Sequence, residues 1–364
     1  MKFNYNGLIV EGFRYGVDPE PEWFKKIENT NIKTDVDGDI TLETSKGDRI
    51  IKRGDYILHK PIADLYYATT EENFMKYAYP IYDRAIENDK RYYWGDKIEL
   101  SRRAIKHTRK VGNLCRDQIK RSIDGAAIYR SRPLIYLHTD NPNTTQYHLY
   151  LYGTVESTYL FFNEVGADNF GKTAILNYAS FKEPGGGFLS GSRAQEESLC
   201  HRSTLYNVLV AFKDSFYKDN HKELNYGLYT DATLYTPDII FNNGSGHSIT
   251  CDVITTAAPN LSAIKRNQSM LGKGEHITTK MINDTLVERI DTILAIAYAQ
   301  GVDNLVLGPF GCGVFGNDPN VVATAMKDLI ENKYRGVFKH VIFSLPVISK
   351  DTTNTVAFWN TFRK

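Results

Sequence analysis

Two carboxylates stand side by side at Glu196 and Glu197, and seven residues separate them and Gln195 from a glycine triplet, Gly185 to Gly187. Each half of this arrangement has a chemistry. Glycine tolerates positive φ and lets backbone N–H groups approach an anion without a Cβ in the way, so such a loop suits a phosphate. A carboxylic acid beside it can give its proton to a glycosidic oxygen, provided it stays protonated near neutral pH. A second carboxylate next to it, together with burial, raises one pKa of the pair. An isolated acidic pair at a helix start is explained by the helix dipole alone. The nearby glycines are what suggest more: a diphosphate held beside a proton donor, the equipment for cleaving an ADP-ribose linkage.

A second glycine-rich stretch, "GPFGCGVFGNDP", places Gly308, Gly311, Gly313 and Gly316 ahead of a helix expected to begin near Asp318, whose dipole would favour an anion. Neither stretch continues into Gly-Lys-Ser/Thr, and neither has the layout of a dinucleotide fingerprint. A nucleoside triphosphatase and a dehydrogenase are therefore excluded.

The elements that must position these residues follow from the apolar pattern after Asn141-Pro142. Strands are expected at "HLYLYGTV", "TAILNYAS", "SITCDVITTA", "NLVLGPF" and "KHVIFSLPV", and helices at "RSTLYNVLVAFK", "MINDTLVERIDTILAIAYAQG" and "DPNVVATAMKDLIEN". Strands separated by helices form a largely parallel or mixed sheet covered on both faces, and ligands bind past its carboxyl edge. Both glycine stretches follow strands there.

The run "LNYASFKEPGGGFLSGSRAQEESLC" resembles the signature of poly(ADP-ribose) glycohydrolases, in the compact bacterial-type branch built on a macrodomain. "VITTAAPN" and "LGPFGCGVFGNDP" are similar to that branch's pocket and diphosphate-loop segments, in the same order. The resemblance covers about residues 150–364. It implies a macrodomain-like three-layer α/β/α sandwich with a mixed sheet; the small β-rich N-terminal module expected before it is not part of that unit. It also implies roles. Glu197 would protonate the leaving ribose oxygen and then activate water; Glu196 would hold the ribose hydroxyls, and Gln195 would fix the loop. Gly185, Gly186, Gly187 and Phe188 would border the diphosphate and ribose on one side, with Gly311, Cys312, Gly313, Val314, Phe315 and Gly316 on the other. Asn177 would line the pocket, and no cofactor or metal is implied. Lys182 and Glu183 depart from the branch's small polar residues, which leaves substrate context open.

Domain boundaries are expected at residues 1–82 for a β-rich accessory module, 83–147 for a helical lead-in and 148–364 for the catalytic domain. The first carries turn signals at Asp37-Gly38, Lys46-Gly47 and Gly54-Asp55, and it resembles small modules of phage proteins around "GDYI" and an "EENF"-type segment. The lead-in contains a basic helical stretch, Lys97 to Arg121, that could attract a polyphosphate or an ADP-ribose polymer; the plainer expectation is a solvated face whose apolar side, Ile98, Ile105, Leu114 and Ile119, packs inward. Gly112 and Asn113 could break that helix.

Composition narrows the partners. A formal net charge of +1 gives no global attraction to nucleic acid or membrane, and no apolar run approaches the length of a membrane span. Four widely spaced cysteines form no CxxC pair, and scattered histidines such as His107, His201 and His247 form no metal cluster. Cys312 is expected to be structural or pocket-lining. A cytoplasmic protein is expected, acting on ADP-ribose or on ADP-ribosylated protein or nucleic acid. Two alternatives remain open: a module that binds ADP-ribose without turnover, and a hydrolase or sequestering protein for an NAD-derived, cyclic ADP-ribose-type signal in phage–host conflict.

Overall fold

The computed structural model describes the chain except residues 1, 6–7, 36–37, 45–46, 61–64, 71–77, 81–95, 138–143, 243–247, 268–275, 347–351 and 363–364. It divides into two compact units, Met1–Arg84 and Ala85–Lys364.

The first unit is β-rich, as its turn signals predict. Strands β1 (Lys2–Tyr5), β2 (Leu8–Arg14), β6 (Tyr56–Lys60), β7 (Leu65–Thr69) and β8 (Ala78–Pro80) form an antiparallel sheet in the order β7-β6-β2-β1-β8, and β3 (Ile32–Thr34), β4 (Ile40–Thr44) and β5 (Gly47–Ile51) form a three-stranded one. A helix the sequence reading did not foresee, α1 (Glu22–Asn31), puts Phe24 against Phe13 in a small core with Leu42, Ile51 and Ile57. Gly54 takes φ +97° in the expected turn before β6. Asp37, Lys46 and residues 71–74 fall outside the described residues.

In the second unit the basic stretch forms α2 (Lys97–Leu114) and α3 (Arg116–Asp124). Asp96 caps α2 by accepting the Glu99 N–H at 2.8 Å. The helix passes straight through Gly112 and Asn113 and breaks at Cys115 instead. Gly112 has a packing reason: a Cβ there would lie 3.0 Å from Asn207 Nδ2, which donates to the Thr108 carbonyl at 3.2 Å. The inward face also differs from expectation. Leu100 and Ala104 are buried, whereas Ile98 and Leu114 are 64% and 72% exposed.

The main sheet has seven strands in the order β10-β15-β14-β11-β13-β12-β9. Five of them, β10 (Gln146–Tyr150), β15 (His340–Ser344), β14 (Asn304–Leu307), β11 (Thr173–Tyr178) and β13 (Ser248–Thr256), pair in parallel. The remaining two, β12 (Thr233–Asn242) and β9 (Ala127–Tyr129), join by antiparallel pairing. Alternate residues feed two cores. Ala174, Leu176, Ile254, Leu305, Leu307, Val341 and Phe343 face one; after the short helix α7 (Leu261–Asn267), α8 (Thr279–Ala299), α9 (Pro319–Asp328) and α10 (Thr353–Phe362) pack over it. Ile175, Val253, Val306 and Ile342 face the other, under α4 (Thr154–Val165), α5 (Gln195–His201) and α6 (Leu205–Ala211), with Ala104 of α2. The result is the three-layer, macrodomain-like α/β/α sandwich with a mixed sheet.

Three local readings change. "HLYLYGTV" is strand only to Tyr150; Gly153 then opens α4, whose apolar residues lie nearly all round and so hide their helical period. The helix expected over "RSTLYNVLVAFK" begins only at Leu205, because Ser203 bridges to Phe241 and the Thr204 N–H donates to the Ile240 carbonyl at 3.1 Å. Strand β12 was missed because Pro237 interrupts it; the pairing with β13 shifts there, between Thr236 and Ile239, and Asp238 has φ +57°.

Candidate active site

At the carboxyl edge of β11, β13, β14 and β15 lies a cavity of about 730 Å³. Both carboxylates line it, together with parts of both glycine stretches. It is built outward from Gln195, the first residue of α5. The Gln195 side chain completes the end of β11: its Oε1 accepts the Tyr178 N–H at 2.9 Å, and its Nε2 donates to the Leu176 carbonyl at 2.8 Å and to Thr154 Oγ1 at 3.2 Å. One amide thus fixes α5 to the strand and to the start of α4.

With α5 anchored, Glu196 and Glu197 point to different partners, as neighbours on a helix must. Glu196 is 3% exposed; it accepts the Ser180 N–H at 2.7 Å and the Asn177 Nδ2–H at 3.2 Å. Burial pushes its pKa up to about 8, and the neighbouring Glu197 charge adds to the rise, against the lowering effect of its N–H donors. A neutral carboxyl therefore persists at pH 7. Glu197 is 6% exposed; its Oε1 accepts the Gly187 N–H at 2.8 Å, and its Oε2 accepts the Ala194 N–H at 2.9 Å, the backward reach of a capping box.

The glycine triplet is shaped to those acids. Gly186 has φ +57°, and a Cβ on it would lie 2.8 Å from Glu197 Oε1 and 2.9 Å from Glu196 Oε2. Only glycine fits between the two carboxyls. Gly187 spends its N–H on Glu197. Gly185, buried, packs on Tyr206 and Cys200, while Phe188 is fully buried beneath the loop, against His201 and Tyr206.

Across the cavity, Gly311, Gly313, Val314 and Phe315 line the wall, whereas Cys312 and Gly316 do not. Gly311 has φ +73°, and a Cβ there would lie 2.4 Å from Asn317 Nδ2 and 2.5 Å from Ala258 Cβ. The loop is thus pressed against the end of β13. Burial pushes the Cys312 thiol up to about 12, so it carries no thiolate near neutral pH. Asn177, fully buried, stands behind Glu196 and supports it.

Two features differ from the sequence reading. Helix α9 begins at Asp318 and Pro319 as expected, but the Asp318 side chain takes the Asn320 N–H at 2.8 Å, and residues 316–318 do not border the cavity. Besides the start of α5, the start of α4 borders it, at Gly153 and Thr154, with no side-chain cap. A glycine followed by Thr154 and the first-turn acid Glu156 was its faint signal.

Also missed was an aromatic wall. Tyr229 stacks on Phe181 at 4.3 Å and leans toward Phe315 at 6.2 Å, and all three line the cavity. Arg289, fully buried in α8, holds this wall from behind. It pairs with Asp231 at 2.7 Å and donates to the carbonyls of Ala257 and Leu228, the residues just before cavity-lining Ala258 and Tyr229. Among the histidines, His107 bonds the Ser203 carbonyl at 2.8 Å, and His247 falls outside the described residues. Among the described residues, no group of three or more His, Cys, Asp or Glu is placed to hold a metal, and no helix is long and apolar enough to cross a membrane.

The family model "Microbial-type PARG, catalytic domain" matches residues 100–243, a span that holds the triplet and both acids. That span is similar to the catalytic domain of microbial-type PARGs. Solved structures extend the likeness beyond that span. The poly(ADP-ribose) glycohydrolase of Thermomonospora curvata is 29% identical with a TM-score of 0.58, covering 68% of this chain and 89% of its own. Its complex with the inhibitor ADP-HPD has a TM-score of 0.56. The Deinococcus radiodurans enzyme in complex with ADP-ribose is 26% identical with a TM-score of 0.56, covering 67% of this chain and 96% of its own. No curated protein matches the chain. The acids and the glycine triplet come from the matched segment, and the wall of Gly311 to Phe315 comes from the chain beyond it.

Proposed function

We propose that this protein is an ADP-ribosyl glycohydrolase that hydrolyses O-glycosidic ribose bonds of poly(ADP-ribose) or of ADP-ribosylated macromolecules and releases ADP-ribose. The observation that carries the reading is the pair of buried carboxyls, one held neutral at pH 7, closed around Gly186 at the edge of a cavity whose opposite wall is a second glycine loop.

The diphosphate lies between the Gly311 to Phe315 loop and the start of α4, where the helix dipole favours an anion. The nucleoside end packs on the Phe181, Tyr229 and Phe315 wall, and the scissile ribose reaches the acids. Glu196 and Glu197 act as a unit that holds one proton at neutral pH. Glu196 is its resting place in the empty site. When the anionic ligand displaces water, Glu197 takes up the proton and delivers it to the leaving ribose oxygen, and Glu196 turns to the ribose hydroxyls. Glu197, now a carboxylate, removes a proton from the water that attacks the oxocarbenium-like ribose carbon. Gln195 keeps both acids in register with the end of β11.

Residues 148–364 form the catalytic domain in this account, 83–147 lead into it, and 1–82 are accessory. Protein or nucleic acid carrying ADP-ribose is the macromolecular partner. Free thiols at Cys115, Cys200, Cys251 and Cys312 suit a reducing cytoplasm.

Incubation with poly(ADP-ribose), mono-ADP-ribosylated protein and mono-ADP-ribosylated nucleic acid, following free ADP-ribose, tests the proposal. Release from at least one substrate is expected. Tight ADP-ribose binding with no release from any of them would reduce the protein to a binding module.

A further inference from the structure

The chain as a whole is nearly neutral, at +1, yet helices α2 and α3 carry nine cations against the three carboxylates Glu99, Asp117 and Asp124. Two of those carboxylates are already engaged within the helices, Glu99 with Arg103 and Asp124 with Lys120. Arg102, Lys106, Arg109 and Lys110 are all exposed, and none is ion-paired among the described residues. At 100° per residue these four lie within one stripe, on the side of α2 opposite buried Leu100 and Ala104, and they span about 12 Å along the axis. Ile98 and Ile105, 64% and 40% exposed, border the stripe.

This helix starts at the rim of the cavity. Ser101 Oγ donates to the Leu189 carbonyl at 2.7 Å, and a Cβ on Gly191 would lie 2.1 Å from the Lys97 carbonyl oxygen. The next two residues, Ser192 and Arg193, line the cavity together with the acids, as does Lys182. Exposed cations therefore lie on both sides of the loop at 188–191, Lys182 and Arg193 at the acid end of the cavity and those of α2 beyond it.

We propose that the exposed stripe of α2 is an extended subsite for the part of an ADP-ribose polymer on the leaving-group side of the scissile bond. Its diphosphates meet Arg102, Lys106, Arg109 and Lys110, and adenine rings pack on Ile98 and Ile105. The inference rests on the glycohydrolase reading and adds that long polymer is preferred over a single terminal unit.

The test compares the Arg102→Gln/Lys106→Gln/Arg109→Gln/Lys110→Gln variant with its parent, both in the full chain and both carrying Glu197→Gln so that polymer survives. Glutamine keeps helix propensity while removing charge. Affinity for long poly(ADP-ribose), for free ADP-ribose and for a single-stranded oligonucleotide of matched charge is measured across salt concentrations. The expected result is at least a ~10-fold loss of polymer affinity at low salt, a log–log salt slope smaller by about 2 to 3, and unchanged affinity for ADP-ribose. Unchanged polymer affinity and slope would overturn the proposal, as would an equal loss for polymer and ADP-ribose. Tighter binding of the oligonucleotide than of polymer, with the same charge dependence, would overturn it in favour of a nucleic-acid surface. Failure of the glycohydrolase reading is distinguishable, because it leaves polymer binding and its charge dependence intact while the wild-type protein releases no ADP-ribose.

Discussion

The backbone nitrogen of Gly187 donates to Glu197 Oε1 at 2.8 Å, so the glycine triplet and the acidic pair are one structural unit. Eight residues separate them in sequence, and a single hydrogen bond closes the circuit. The first glycine stretch thereby serves the acids, while the second forms the opposite wall.

Gly186→Ala is the sharpest probe of that unit. A methyl group there meets both carboxyls and imposes φ +57° on a residue with a Cβ, a backbone cost of roughly 1–2 kcal/mol before the clash is counted. ADP-ribose release should fall by about 100-fold or more, the scale of losses when reacting groups are misplaced by about 1 Å. Circular dichroism and melting should show a folded protein. Full turnover would mean that the acids need no such fit.

Stability should depend on pH through Glu196. Its pKa rises from 4.5 to about 8 on folding, so between these values the folded state binds more protons than the unfolded one. Stability from this group is greatest below pH 4.5, falls as pH rises toward 8, and levels off above it. Glu196→Gln removes the titration. Denaturant unfolding at several pH values should show the variant gaining on wild type by a few kcal/mol, to order of magnitude, between pH 4.5 and 8. Parallel curves would contradict a neutral Glu196.

Arg289 ties the aromatic wall to α8. Arg289→Ala leaves Asp231 without its cation and two backbone carbonyls without a donor, which should cost about 3–5 kcal/mol of stability. Because those carbonyls precede Tyr229 and Ala258, ADP-ribose affinity should weaken as well, in calorimetry under conditions where the variant remains folded. A stability loss with unchanged affinity would make Arg289 purely structural.

Much of the site was legible because its residues cluster in sequence: the triplet, the acidic pair and the second glycine loop each announce themselves by type and spacing. The five parallel strands were legible from their apolar runs. What stayed hidden was whatever depends on distant partners. The start of α4 read as strand because its apolar residues are spread around the helix and show no clear helical period. Strand β12 was masked by Pro237, which only the pairing irregularity with β13 accommodates. The wall of Phe181, Tyr229 and Phe315 brings together three stretches that nothing local connects, and Arg289 looks like an ordinary helix cation until its burial is known. Gly112 signalled a helix break in sequence and instead marks a close contact with Asn207.

The most direct measurement is ADP-ribose release from poly(ADP-ribose) by wild type, Glu197→Gln and Glu196→Gln, with ADP-ribose binding measured on each. Wild type should release ADP-ribose, and Glu197→Gln should lose turnover by about 100-fold or more while still binding ADP-ribose, the loss expected when a general acid–base is removed. Glu196→Gln should weaken both turnover and binding. Full turnover by Glu197→Gln, with loss confined to Glu196→Gln, would contradict the assignment and move the proton donor to the buried neighbour.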